Sequence, residues 1–121
     1  RELPMSDSAL LALQTAVRDF ARERDWEQFH TPKNLAMALA VEASELQEIF
    51  QWLTPEESAA LTPEQRLATE EEMADVLLYL CRMADVLNID LIDAAKAKMI
   101  RNAFRYPADQ VRGSATKTQE R

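Results

Sequence analysis

Glycine is almost missing from this chain: Gly113 stands alone among 121 residues. A Gly-rich phosphate loop or a dinucleotide-binding fingerprint cannot be written with one glycine. With only five prolines, the composition also argues against a turn-rich β architecture. Cys81 is the one cysteine, which excludes a disulfide framework and fits an intracellular compartment. His30 is the one histidine, so the Glu-x-x-His pairs of di-iron carboxylate bundles cannot be assembled. No window approaches about 18 uninterrupted apolar residues, and the first residues carry no apolar signal-peptide core. Positive charge is in deficit, with 14 Lys and Arg against 21 Asp and Glu, a formal net charge of −7. That balance disfavours passive binding to nucleic acid or to an anionic membrane. The expectation is a cytoplasmic protein that binds neither.

What is present is helical pattern. Hydrophobic content of 47% with 29% charged residues is ordinary for a globular protein, and the length suits one domain. Leu10, Leu13, Val17 and Phe20 recur at 3, 4, 3, predicting a first helix capped by Ser6 or Asp7 and running to about Asp25. Trp26 to His30 lacks periodicity and reads as a loop. Thr31-Pro32 opens a second helix to about Trp52. Thr54 with Glu57 marks a short helical piece, and Thr62-Pro63 with Gln65 opens the longest helix, to about Leu87. Its apolar positions are Met73, Val76, Leu77, Leu80, Ala84 and Leu87. Asp90 caps a further helix from Leu91 to about Phe104. The fold class predicted is all-α, a four-helix bundle with short connections. Residues 1–107 form its single domain, followed by a polar, mobile tail over 108–121.

The second helix carries Leu35, Leu39, Glu42, Leu46 and Ile49 at 4, 3, 4, 3, an apolar stripe with a carboxylate in its middle. A charge in a core stripe is expensive unless something pairs with it. Glu42 and Glu45 are spaced i, i+3, as are Glu72 and Asp75 on the longest helix, and antiparallel packing could bring the pairs face to face. Four converging carboxylates would repel one another on a scale that rivals a folding stability of about 5–15 kcal/mol. Binding a cation or a proton relieves this. An all-oxygen ligand set without imidazole or thiolate points to Mg²⁺ or Mn²⁺ rather than zinc. Glu56, Glu57, Glu70 and Glu71 read instead as solvated helix faces. Glu48 continues the acidic spacing and reads equally as an exposed position.

Lys98, Asn102 and Arg105 fall at i, i+4, i+7 on the fourth main helix. A cationic face near a metal-binding acidic cluster suits a polyphosphate, although basic residues near a helix C-terminus also complement its dipole. Trp26, Phe29, Trp52 and Tyr79 are candidate walls for a base, since aromatic faces stack on bases tolerantly. Ordinary core packing is the alternative for each. His30 suits a polar or substrate hydrogen bond, and Cys81 a buried thiol.

Glu42-Ala-Ser-Glu45, Glu72-Met-Ala-Asp75 and the Lys98…Asn102…Arg105-Tyr106-Pro107 segment resemble the MazG-like, all-α NTP pyrophosphatases. The run Arg24-Asp25-Trp26-Glu27-Gln28-Phe29-His30, with Phe50-Gln51-Trp52, is similar to the dCTP pyrophosphatase branch. The resemblance covers about residues 8 to 117. It implies hydrolysis of a (deoxy)nucleoside triphosphate between the α and β phosphates, yielding monophosphate and pyrophosphate in nucleotide-pool housecleaning. It implies Mg²⁺ held by Glu42, Glu45, Glu72 and Asp75, with Lys98, Asn102 and Arg105 on phosphate or sugar. Trp26, His30, Trp52 and Tyr79 would line the base pocket, and a homodimer or homotetramer is implied. One of Glu42, Glu45 or Glu48 would accept the proton of the attacking water. The alternatives are another nucleotide as substrate, modified or purine, and a non-catalytic helical module with an acidic docking face.

Overall fold

The computed structural model describes residues 5–115. Among them there are helices and no strands: α1 (Met5–Glu23), a 3₁₀ turn (Glu27–Phe29), α2 (Pro32–Phe50), α3 (Pro55–Ser58), α4 (Pro63–Leu87), α5 (Leu91–Arg105) and α6 (Ala108–Val111). The all-α reading is therefore right.

Local chemistry sets most of the boundaries. Thr31 Oγ1 accepts from the Asn34 amide at 3.1 Å, with Pro32 as the first helical residue of α2. Thr54 and Glu57 form a reciprocal capping box at the start of α3, and Thr62 and Gln65 another at the start of α4. Asn88 ends α4 in the left-handed region, at φ 57°, which its short polar side chain tolerates. Asp90 Oδ1 then accepts from the Asp93 amide at 2.9 Å and starts α5.

Three details differ from expectation. α1 already contains Ser6 and Asp7 and stops at Glu23, after which Asp25 adopts φ 55° and turns the chain. The expected loop from Trp26 to His30 holds a 3₁₀ turn, tied to α2 by Asn34 Nδ2 donating to the Phe29 carbonyl at 3.0 Å. The polar stretch after residue 107 contains α6, and its last residues lie outside those described.

The chain divides into two compact units, one ending at Ile89 and one beginning at Asp90. In the first, α4 packs against both α2 and α1. Leu35, Ala21, Cys81 and Ala84 are its most deeply buried apolar residues. On α2 the stripe behaves as its spacing predicts. Leu35 is buried, and Leu39, Glu42, Leu46 and Ile49 are all half-buried. On α4 the expected stripe is covered only in part: Ala84 is buried and Val76 and Leu80 are half-buried, but its other positions are not. Met73, Leu77 and Leu87 are exposed, while Cys81, Ala84 and the charged Arg82 are buried. An apolar set on more than one face of a long helix lets the packing partners choose which face is covered. The second unit contains α5 and α6, with the Tyr106 amide donating to the Asn102 carbonyl at 2.8 Å to end α5. No helix among the described residues is long and apolar enough to cross a membrane.

Candidate functional site

Because α2 and α4 pack together, the carboxylates that sequence spacing set one turn apart meet across the interface. Glu42, Glu45 and Glu72 each offer an oxygen within 4.8 Å of the others, an arrangement that could hold a metal ion. Two of these side chains have an oxygen buried without a hydrogen-bond partner, Oε2 of Glu42 and Oε2 of Glu72. Buried orphan acceptors are costly and call for a donor, a proton or a cation.

The electrostatics agree. Burial, reinforced by the Glu72 and Glu45 carboxylates, pushes Glu42 up to about 7. Glu72 is raised as well: a hydrogen bond from Glu42 lowers it, but desolvation and the neighbouring Glu45 and Asp75 charges outweigh that bond. Glu42 and Glu72 thus favour their protonated forms, as carboxylates do where burial and like charge outweigh solvation. An all-oxygen set with orphaned acceptors fits a hard divalent cation.

Asp75 lies outside this trio. It lines a cavity of about 350 Å³ between α1 and α4, together with Val17, Phe20, Trp26, His30, Tyr79 and Arg82. Its charge still reaches Glu42 and Glu72, so cavity and cluster are electrostatic neighbours. Three of the four residues expected to line a base pocket, Trp26, His30 and Tyr79, are gathered in this cavity. Trp52 is not among its walls; it follows α2 and is 86% exposed. Glu48 lines a separate groove with Glu45, Ile49, Ala68 and Glu72. Lys98, Asn102 and Arg105 all lie on α5 in the second unit, Lys98 and Arg105 exposed and Asn102 half-buried.

The cavity wall has a polar frame that sequence reasoning missed. Arg82, only 4% exposed, donates from Nε to His30 Nδ1 and from Nη1 to Asp85 Oδ2, both at 2.9 Å. Asp85 is in turn gripped by Arg18 of α1, whose Nε reaches its two oxygens at 3.1 and 2.9 Å and whose Nη2 also donates to it. The Arg18 hydrogen bond holds the Asp85 carboxyl below its ordinary range. His30 is lowered, by burial first and then by the Arg82 charge. Trp26 stands edge-on to His30 with ring centroids 6.5 Å apart, and edge-on to Phe20 at 5.8 Å. In sequence, Arg82 and Asp85 look like any solvated i, i+3 ion pair. The adjacent Cys81 in the apolar stripe was the only hint of depth.

Residues 37–120 match the MazG-like family. The chain is 45% identical to bovine dCTP pyrophosphatase 1 over 114 residues, covering 93% of this chain and 68% of the relative. It is 48% identical to the mouse protein of that name over 101 residues, covering 82% and 59%. The human protein is 47% identical over 104 residues, covering 84% and 61%. The chain thus spans about three-fifths to two-thirds of the curated relatives it matches. A crystal structure of a pyrophosphatase from Archaeoglobus fulgidus superimposes with a TM-score of 0.77 at 39% identity, covering 88% of this chain and 97% of that one. Fold, sequence and the acidic cluster agree, and the chain belongs to the MazG-like family.

Proposed function

We propose that this chain is a Mg²⁺-dependent nucleoside triphosphate pyrophosphohydrolase. Its substrate is dCTP or a modified dCTP, split into the monophosphate and pyrophosphate. The observation that carries the reading is the carboxylate trio of Glu42, Glu45 and Glu72 with its orphaned buried oxygens, electrostatically coupled to an aromatic cavity. The dCTP pyrophosphatases at 45–48% identity support the choice of base.

In this mechanism Glu42, Glu45 and Glu72 would hold the cation, with Asp75 as the fourth carboxylate on the side toward the cavity. When bound, a divalent cation there would supply positive charge to offset phosphate and to lower the pKa of a water. Trp26 and Tyr79 offer ring surfaces to the base, and His30 a polar contact at its edge. Lys98, Asn102 and Arg105 take the remaining phosphate charge or the sugar, and Trp52 serves the base from outside the cavity wall. One of Glu42, Glu45 or Glu48 accepts the proton of the water. Most of the protein's contribution is then positioning and neutralisation.

The catalytic unit is the domain over residues 1–107, and it works as a homodimer or homotetramer in the cytoplasm. Exposed apolar pairs one turn apart, Met37 with Val41 on α2 and Met73 with Leu77 on α4, support self-association. A monomeric mass by light scattering at micromolar concentration would contradict it.

The deciding assay is a panel of (deoxy)nucleoside triphosphates, with and without Mg²⁺, scored for monophosphate and pyrophosphate. Pyrophosphate from dCTP only with Mg²⁺ is expected. No pyrophosphate from any nucleotide would end the enzyme reading, and preference for another base would replace the substrate. Glu42→Gln should lower turnover on the order of 10²-fold, the scale for losing one group that manages transition-state charge.

A further inference from the structure

The chain's single histidine is held by a partner that can only donate. Arginine has five N–H groups and no acceptor, and it stays charged at any working pH. The nitrogen of His30 that faces Arg82 Nε at 2.9 Å, Nδ1, must therefore carry the lone pair. A neutral imidazole has one such nitrogen, so the proton resides on Nε2. An imidazolium has none and would set an N–H against the guanidinium.

Arg82 cannot relax away from this arrangement. Its side chain is 5% exposed, and its Nη1 is anchored on Asp85, which Arg18 holds from α1. Trp26 stands edge-on to the imidazole from another side, with ring centroids 6.5 Å apart. The frame spans α1, the turn before α2, and α4, so it forms only when the first unit is folded.

We infer that Arg82 is a positioning residue: it locks His30 as the Nε2–H tautomer, so that the cavity meets a nucleobase with a donor and selects an edge bearing a carbonyl or bare ring nitrogen. The inference rests on the proposed nucleotide reading for the identity of the ligand. The lock itself does not. With one imidazole nitrogen occupied by Arg82 and the other protonated, His30 neither accepts the proton of the water nor offers a positive charge to phosphate. A base edge presenting an N–H in the same place would leave two donors facing each other, the mismatch by which a hydrogen-bonding site rejects an analogue.

The experiment is long-range ¹H–¹⁵N correlation on the ¹⁵N-labelled full chain, where one histidine gives one imidazole pattern. An Nε2–H pattern at neutral pH is expected, and saturating dCMP should move the Nε2 proton downfield. An Nδ1–H, charged or averaged pattern, or no shift with dCMP, overturns the inference without any variant being made. In Arg82→Met, Asp85 keeps Arg18, and the imidazole should show averaged tautomers. KM for dCTP should rise about tenfold, equivalent to ~1.4 kcal/mol, and more than kcat falls. Arg82→Lys, which restores a donor-only cation facing His30, should recover part of that KM. Equal losses in kcat and KM would mean that Arg82 only supports the fold. If no nucleotide is hydrolysed while the Nε2–H pattern holds, the proposed reaction fails and the lock stands. Hydrolysis of dCTP with an Nδ1–H pattern sinks the lock alone.

Discussion

Asp85 on α4 accepts from both Arg18 and Arg82, so one carboxylate ties α1 to α4 and steadies the guanidinium behind His30. Two cations share one anion here, and the arrangement is worth most to Arg82, which has almost no contact with water. The same carboxylate therefore bears on both stability and the shape of the cavity.

Asp85→Asn should be costly. It keeps the side chain's shape but leaves the buried Arg82 charge without its counter-ion, a loss of roughly 3 kcal/mol, the low end for breaking a buried pair. Urea unfolding should show a lower midpoint. A change smaller than that of an exposed substitution would mean that Arg82 is not desolvated.

Without divalent cations, stability should peak on the acidic side of neutrality. Glu42 is raised in the folded protein from an ordinary value of 4.5 to about 7. Its folded form binds the proton more tightly than the unfolded form, so its contribution is full below about 4.5 and lost as pH rises through 7. Asp85 has the opposite sign: it is lowered from 3.8, and its contribution is lost as pH falls below that value. Thermal melts in chelator from pH 3 to 9 should show both flanks. Added Mg²⁺ should restore the alkaline flank, and melts indifferent to Mg²⁺ at pH 8 would argue against a cation at the trio.

Gln14→Leu should stabilise the protein. Gln14 is 6% exposed, and its Nε2 has no hydrogen-bond partner among the described residues. An unpaired buried amide costs about 1–3 kcal/mol, and an apolar side chain of similar length removes that cost. A gain of about 1 kcal/mol in urea unfolding is expected; a loss would reveal a partner for the amide.

Trp52→Ala separates fold from function. At 86% exposure, its removal should change unfolding free energy by no more than about 0.5 kcal/mol. If Trp52 serves the base, KM for dCTP should rise nonetheless. An unchanged KM would remove Trp52 from the site.

Most of this molecule's local structure could be read directly from its residues. The threonine caps at 31, 54 and 62, each followed by proline, and the Asp90 cap act within four residues, so sequence alone determines where α2, α3, α4 and α5 begin. Glu42 was conspicuous for the same reason: a carboxylate breaking a helical apolar stripe is a contradiction visible in one dimension. Its candidate partners were legible too, in the matching i, i+3 spacing of Glu72 and Asp75, but which of them would close on Glu42 and how deep Arg82 would lie were not. A charge on α4 reads the same whether it faces water or a neighbouring helix. Only packing against α1 and α2 buried Arg82, exposed Met73 and Leu77, and brought Glu72 onto Glu42. Spacing along a chain decides which residues share a face; which face is buried depends on the helices it meets.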